Sequence, residues 1–162
     1  SSVRKIYLND LDFKACQACG GCLRSGRCVV RDDAQKIYKS LHESDVIVLA
    51  SPIYFGSVTA QVKSMIDRLH CFWVAKHILK KPASAKSRLG YFLCASSDAG
   101  TKYFPAARTM ARICFNTLNA AYSGEIFCGG LEAMGAVKKN ALYRKRAFKL
   151  GLAISDGLKH ER

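Results

Sequence analysis

A short unbroken apolar run, Val46 to Ala50, is stopped by Ser51 and Pro52, and beyond it Val58, Val62, Met65, Ile66 and Leu69 return at helical spacing. An unbroken run suits a strand covered on both faces, as in a parallel sheet. Proline has no amide hydrogen with which to continue a central ladder. Strand, turn and helix are thus predicted in that order. The same alternation recurs along the chain. Val3 to Leu8 reads as a strand ended by Asn9 and Asp10. Asp32 or Asp33 caps a helix reaching about Leu41, with Ala34, Ile37, Tyr38 and Leu41 on one face. Leu89 to Ala95 reads as a strand, Tyr103 to Leu118 as a helix, Ala121 to Cys128 as a strand, and about Lys139 to Lys159 as a last helix striped by Tyr143, Ala147, Leu150, Ile154 and Leu158. Strands alternating with helices predict an α/β doubly wound fold with a parallel sheet. Four strands are counted, and no glycine-rich phosphate loop follows the first.

In such sheets ligands bind beyond the carboxyl ends of the strands. Two turns fall there. Ser51, Pro52, Ile53, Tyr54, Phe55, Gly56 and Ser57 offer flat aromatic faces, hydroxyls, amides and a glycine; Ser96, Ser97, Asp98, Ala99 and Gly100 offer hydroxyls, amides and a second glycine. A planar cofactor with a polar edge fits that inventory, although the first turn read alone is also an ordinary strand-to-helix turn with incidental aromatics. Phe72 and Trp73 read either as core anchors or as cover for a bound ring or a subunit partner.

Composition narrows the setting. A chain of 162 residues with 49% hydrophobic residues and mean hydropathy −0.01 is one soluble domain. It has no apolar run near membrane-span length and no signal-peptide pattern at its start. The net charge of +14 attracts anions in general. Its carriers, Arg24, Lys80, Lys81, Lys86, Arg88 and the face of the last helix with Lys138, Lys139, Arg144, Lys145, Arg146 and Lys149, are not interleaved with a nucleic-acid motif. Phosphate-bearing small ligands are therefore expected before nucleic acid. The aromatic and then basic segment after Leu69 is expected to end in a polar loop around Pro82.

Cysteine usage adds chemistry. Of eight cysteines, Cys71, Cys94, Cys114 and Cys128 are scattered in apolar surroundings and read as buried reduced thiols, which points to the cytoplasm. The others form C-x2-C-x2-C-x5-C: Cys16, Cys19, Cys22 and Cys28. Three cysteines at this spacing wrap one iron–sulfur cluster in ferredoxin-like loops. Free thiols, zinc or a redox disulfide are the alternatives. Val29 stands where such loops carry a proline, and Arg24 and Arg27 are placed to neutralise an anionic cluster.

Three blocks together resemble the flavodoxin-like NAD(P)H-dependent FMN oxidoreductases, in their iron–sulfur flavoprotein branch: ACQACGGCLRSGRCVVRDD, ASPIYFGSVTAQVKSMIDR and CASSDAG, spanning residues 16 to 100. The resemblance implies a single flavodoxin-like domain over 1–162, with a cysteine-loop insertion at 16–28 and a five-stranded sheet of order 2-1-3-4-5. It implies that Val3 to Leu8 is the second strand and that the first strand and phosphate-gripping loop are absent from the chain. It implies FMN bound by Ser51, Pro52, Ile53, Tyr54, Phe55, Gly56, Ser96, Ser97, Asp98 and Gly100, and a 4Fe–4S cluster on Cys16, Cys19, Cys22 and Cys28. Asp67 and Arg68 match a pair at the helix end that looks structural. The implied function is electron transfer between NAD(P)H or a reduced carrier and a small acceptor or redox carrier protein, with the chemistry on the flavin and no amino-acid catalyst. A homodimer or homotetramer is implied, with modest support from the apolar segment Cys71 to Leu79. The alternatives are a cluster-free quinone, flavin or nitro reductase and, from another class, a basic nucleic-acid-binding module with a metal loop.

Overall fold

Strand β1, Val46–Pro52, lies against β2, Arg88–Ala95, and β2 against β3, Ala120–Cys128; all three are parallel, in the order β1-β2-β3. The computed structural model describes residues 2–81 and 87–160, the side chains of 158–160 excepted. The loop expected around Pro82, with Lys86, lies outside the described residues, as does the side chain of Leu158. Helices α1 (Ala34–Glu43), α2 (Ala60–Arg68), α3 (His70–Trp73), α4 (Phe104–Thr117), α5 (Ala136–Lys139) and α6 (Ala141–His160) complete the α/β arrangement.

The core joins Leu49 of β1 and Phe92 and Cys94 of β2 to Ile37 and Tyr38 of α1, Val62 and Met65 of α2, and Ala107, Ala111, Cys114 and Phe115 of α4. At the amino end of β2, Arg88 is 1% exposed and donates to the carbonyls of Leu118 and His42, at 2.9 and 3.1 Å. Those carbonyls lie at the carboxyl ends of α4 and α1, where helices leave acceptors unpaired. Arg88 is therefore a buried brace, not part of an anion-attracting surface as its charge suggests in sequence.

Three expectations change. Val3 to Leu8 is not a strand: it runs into a 3-10 turn at Leu8–Asp10, and Val3 and Tyr7 are 82% and 65% exposed. A strand needs a partner for its backbone groups, and among the described residues none lies beside this segment. The sheet therefore has three strands here, not four. Second, β1 continues through Ser51 and Pro52, which pair with Cys94 and Ala95. Among the described residues β1 has no neighbour on its other side, and proline is tolerated at such an edge. Third, β1 is covered on one face only: Leu49 and Ser51 are buried, while Val48, Ala50 and Pro52 are exposed. In the last helix Tyr143, Leu150 and Ile154 are half-buried, but Ala147 is exposed.

The segment after Leu69 continues the helical run. Val74–Ile78 forms a π-helical turn directly after α3. Phe72 is the core anchor, 3% exposed, whereas Trp73 is 41% exposed and stacks between His70 and His77. All eight cysteines are free thiols. Cys71, Cys94 and Cys114 are buried, and Cys128 is half-buried. No described helix is long and apolar enough to cross a membrane.

Candidate functional site

The chain leaves β1 through a tight turn. Tyr54 N donates to Ser57 O at 2.9 Å and Ser57 N to Tyr54 O at 3.1 Å, with Phe55 and Gly56 between them at φ 47° and 80°. Two successive positive φ values make a primed turn, which favours glycine. Gly56 meets that demand. Phe55 does not, and it stands fully exposed on strained backbone beside Tyr54, itself 62% exposed. Among the described residues the amides of Phe55 and Gly56 have no hydrogen-bond partner within the protein. An exposed aromatic pair and two free amides on a pinned turn are what the polar edge of a flat ring system requires.

The neighbouring loop is braced from within. Ser96 is buried; its Oγ accepts from Asp98 N at 3.2 Å, and Asp98 Oδ1 accepts from Gly100 N at 2.7 Å. Ser97, Asp98 and Gly100 are exposed. Ile53 N donates to Ala95 O at 2.7 Å, joining the first turn to the root of the second. Ser51 faces inward: its Oγ donates to Pro52 O and accepts from Thr59 N, fixing the start of α2, whose cap is the Thr59 side chain. Ser51 and Pro52 also line a cavity of about 470 Å³ with Cys94, Ala95, Val137 and Tyr143, between the sheet and α5–α6; Ile53 to Gly56 and Ser96 to Gly100 are not in its lining.

Cys16, Cys19, Cys22 and Cys28 line a single smaller cavity of about 80 Å³, together with Arg68, His70 and Cys71. The loop closes at its base, where Asp12 N meets Asp33 Oδ2 and Asp33 N meets Asp12 O, and it turns at Cys22–Gly26 on bonds to Cys22 O. Gly26 is required there, because its φ is 68° and a Cβ would stand 2.7 Å from Ala75 Cβ. The thiols sense one another: burial pushes the Cys22 thiol up, and Cys28, Cys16 and Cys19 push it further. Among the described residues no three Cys, His, Asp or Glu side chains converge on one metal ion. Four thiols lining one cavity are a donor set of the kind that iron–sulfur clusters and zinc both use.

Arg68, the last residue of α2, forms the wall behind these thiols. It is 3% exposed. Its Nε donates to Tyr38 Oη at 3.2 Å, its Nη1 to Lys14 O at 2.8 Å and Asp32 Oδ2 at 2.6 Å, and its Nη2 to Asp32 Oδ1 at 2.9 Å and Cys28 Sγ at 3.4 Å. The forked contact from Arg68 holds the Asp32 carboxyl below its usual range and raises the guanidinium's own pKa in turn. The Tyr38 hydroxyl, in turn, donates to Arg68 O at 3.0 Å. Arg24 and Arg27, the cations expected beside the thiols, are both exposed. Sequence reasoning treated Arg68 as structural; the available signal was its place on the buried stripe, three residues after Met65 and six after Val62. Asp67, by contrast, pairs with Lys63 on the surface.

Residues 2–127 match the family described as NADPH-dependent FMN reductase. An iron–sulfur flavoprotein of Archaeoglobus fulgidus is 43% identical over 67 residues, covering 41% of this chain and 30% of the relative. One of Methanocaldococcus jannaschii is 43% identical over 63 residues, 39% of this chain and 33% of the relative. One of Clostridioides difficile is 24% identical over 144 residues, 88% of this chain and 57% of the relative. The matches thus cover less than two thirds of each of these relatives. Among solved structures, a flavone reductase superposes with a TM-score of 0.61 at 15% identity, over 95% of this chain and 51% of that one. A Trp repressor binding protein of Bacillus subtilis gives 0.52 at 17% identity, over 71% and 68%. Likeness at such identities speaks for the fold. With residues 2–127 matched and this three-stranded parallel sheet in place, the chain belongs to the NADPH-dependent FMN reductase family.

Proposed function

We propose that this chain is the core of an FMN-dependent redox protein that moves electrons between NAD(P)H, or a reduced carrier, and a small acceptor, with a 4Fe–4S cluster in the cysteine loop. The observation that carries it is the placement of two cofactor-fitting sites on one helix. Helix α2 begins just after the Tyr54–Ser57 turn and ends at Arg68, against the cavity that all four loop cysteines line. The name of these relatives, iron–sulfur flavoprotein, supports the same reading.

FMN supplies the exchange of a hydride for single electrons, and an iron–sulfur cluster a one-electron relay. The rest falls to the chain. Tyr54 and Phe55 present ring faces, and the amides of Phe55 and Gly56 present donors to a polar edge. Ser97, Asp98 and Gly100 border that edge from the second loop, while Ser51, Pro52, Ile53 and Ser96 hold both loops in register. Cys16, Cys19, Cys22 and Cys28 supply four thiolates, a soft donor set suited to iron–sulfur clusters. We place the protein in a reducing compartment, the cytoplasm, and propose a homodimer or homotetramer; Trp73 and Ile78, 41% and 53% exposed beside the buried Phe72, support a subunit contact. A strict monomer in light scattering, with flavin bound, would remove that contact.

The test is anaerobic reconstitution of the full-length protein with iron, sulfide and FMN. The expected result is about four iron atoms per chain, bound flavin, and loss of iron but not of flavin in Cys19→Ser. Bound flavin and NAD(P)H-dependent quinone reduction with negligible iron would point instead to the cluster-free reductase.

A further inference from the structure

We infer that Arg68 is the positioning residue of the cysteine loop: it closes the loop around its cavity and gives Cys28 an N–H···S hydrogen bond that sets the electron affinity of the bound cluster. The inference rests on the cluster reading above.

An arginine side chain has five N–H donors. All five of Arg68 are used: one goes to Tyr38 Oη, and four reach the two arms of the loop and its exit, one to Lys14 O before Cys16, one to Cys28 Sγ at the far end and two to Asp32 beyond it. One planar group thus fixes the entry, the last ligand and the exit together. Net stability does not account for it. A buried arginine–carboxylate pair contributes little beyond what apolar packing would give, and Val62, Met65 and Phe72, at helical spacing from Arg68 in the sequence, are all apolar core residues. What an apolar side chain cannot supply is the fork and the donor to sulfur. Asp32 balances the guanidinium charge, so the sulfur receives a directed hydrogen bond from a locally neutral pair. Hydrogen bonds to cluster sulfurs are among the determinants of cluster potential; they stabilise the more negative, reduced state. Among the described residues no other cationic side chain donates to a loop cysteine sulfur, and Arg24 and Arg27 are exposed.

The test uses reconstituted full-length protein, the variants Arg68→Lys and Tyr38→Phe, and wild type carrying heavy nitrogen in its arginine guanidinium groups. Lysine keeps the charge but loses the planar fork. Tyr38→Phe disturbs the same buried network without touching the sulfur. Arg68→Lys is expected to move the cluster's midpoint potential to more negative values, and Tyr38→Phe to leave it unchanged. Pulsed electron paramagnetic resonance of the reduced labelled wild type is expected to show one guanidinium nitrogen coupled to the cluster, a signal that persists in Arg24→Lys and Arg27→Lys. If Arg68→Lys fails to fold or to load iron, the labelled wild type decides alone. Equal potentials in wild type and Arg68→Lys, equal shifts in both variants, or a loaded cluster without nitrogen coupling would overturn the inference and leave the cluster standing. Wild type that takes up no iron would overturn the cluster reading, and this role of Arg68 with it.

Discussion

Gly56 offers the sharpest test of the proposed flavin turn, because its φ of 80° separates a backbone effect from a steric one. A Cβ placed there would stand 3.4 Å from Tyr103 Cδ1, close to ordinary contact, so an added methyl has room. Within the protein, the demand for glycine at this position is therefore one of backbone conformation and not of space. An L-residue in the left-handed region costs about 1–2 kcal/mol, a factor of roughly 5–30 in an equilibrium constant. Gly56→Ala should lose that much, divided between folding stability and flavin affinity according to whether the free turn keeps its shape. Gly56→Val should lose more, at least about 1.4 kcal/mol or tenfold, since β-branched residues tolerate this region worst. Asparagine visits the left-handed region readily, so Gly56→Asn should retain most of both properties despite its larger volume. The measurements are urea unfolding and fluorescence titration of FMN against full-length apoprotein, with iron content as a control that should not change. If Gly56→Val matches wild type in both stability and FMN affinity, the turn has neither the strain nor the role assigned to it. If Gly56→Asn falls as far as Gly56→Val, volume and not backbone decides, and the reasoning from φ is wrong.

Gly90→Ala should destabilise the fold by about 1–3 kcal/mol, read as a lower urea midpoint, because the new Cβ would lie 2.6 Å from Cγ of the fully buried Phe115 ring. Arg88→Met should cost about 1–3 kcal/mol by leaving the carbonyls of His42 and Leu118 unpaired; unchanged stability would show that the brace is dispensable. Asp32 has a folded pKa below its unfolded value, so its contribution to stability is complete above about pH 4 and is lost as the pH falls through the folded pKa; Asp32→Asn should flatten the acid limb of the stability curve, and an unchanged limb would contradict the pairing with Arg68. Burial pushes the thiols of Cys94 and Cys114 up to about 12 and that of Cys71 up to about 11. Brief alkylation of the metal-free native protein at pH 8 should therefore label Cys19 first and leave those three unlabelled, as peptide mass mapping would show.

Local patterning foretold the elements that local patterning controls. The helices at Ala34 and Phe104 and the strands at Arg88 and Ala120 lie within about two residues of their expected bounds, because each carries a periodic apolar face or a closed apolar run. The segment Val3 to Leu8 failed for a non-local reason: strand-forming residues need a neighbouring strand, and pairing is invisible in six residues of sequence. Trp73 and Phe72 are adjacent and alike in composition, yet helical geometry turns one into the core and the other toward solvent. At the site, the spacing of the cysteines announced a shared cavity, and the glycine at position 56 announced a tight turn. Arg68 was hidden. Its place at the helix end read only as structural, and the meeting of Lys14, Cys28, Asp32 and Tyr38 in space, up to 54 residues distant in sequence, reveals why it is buried.

The continuous helix between the two candidate sites has a bearing on distance. From its Thr59 cap to Arg68, α2 rises about 13 Å, at 1.5 Å for each residue. That length is set by intrahelical hydrogen bonds and not by how tightly the helix sits on the sheet. Warming, crowding or substitution in the core can tilt α2 without stretching it. The span separating the Tyr54–Ser57 turn from the wall of the cysteine cavity is thus a property of the rod itself. A protein built this way keeps the spacing of its two candidate sites while the packing around them breathes, and a break in the helix, such as a proline at Lys63, would change that length.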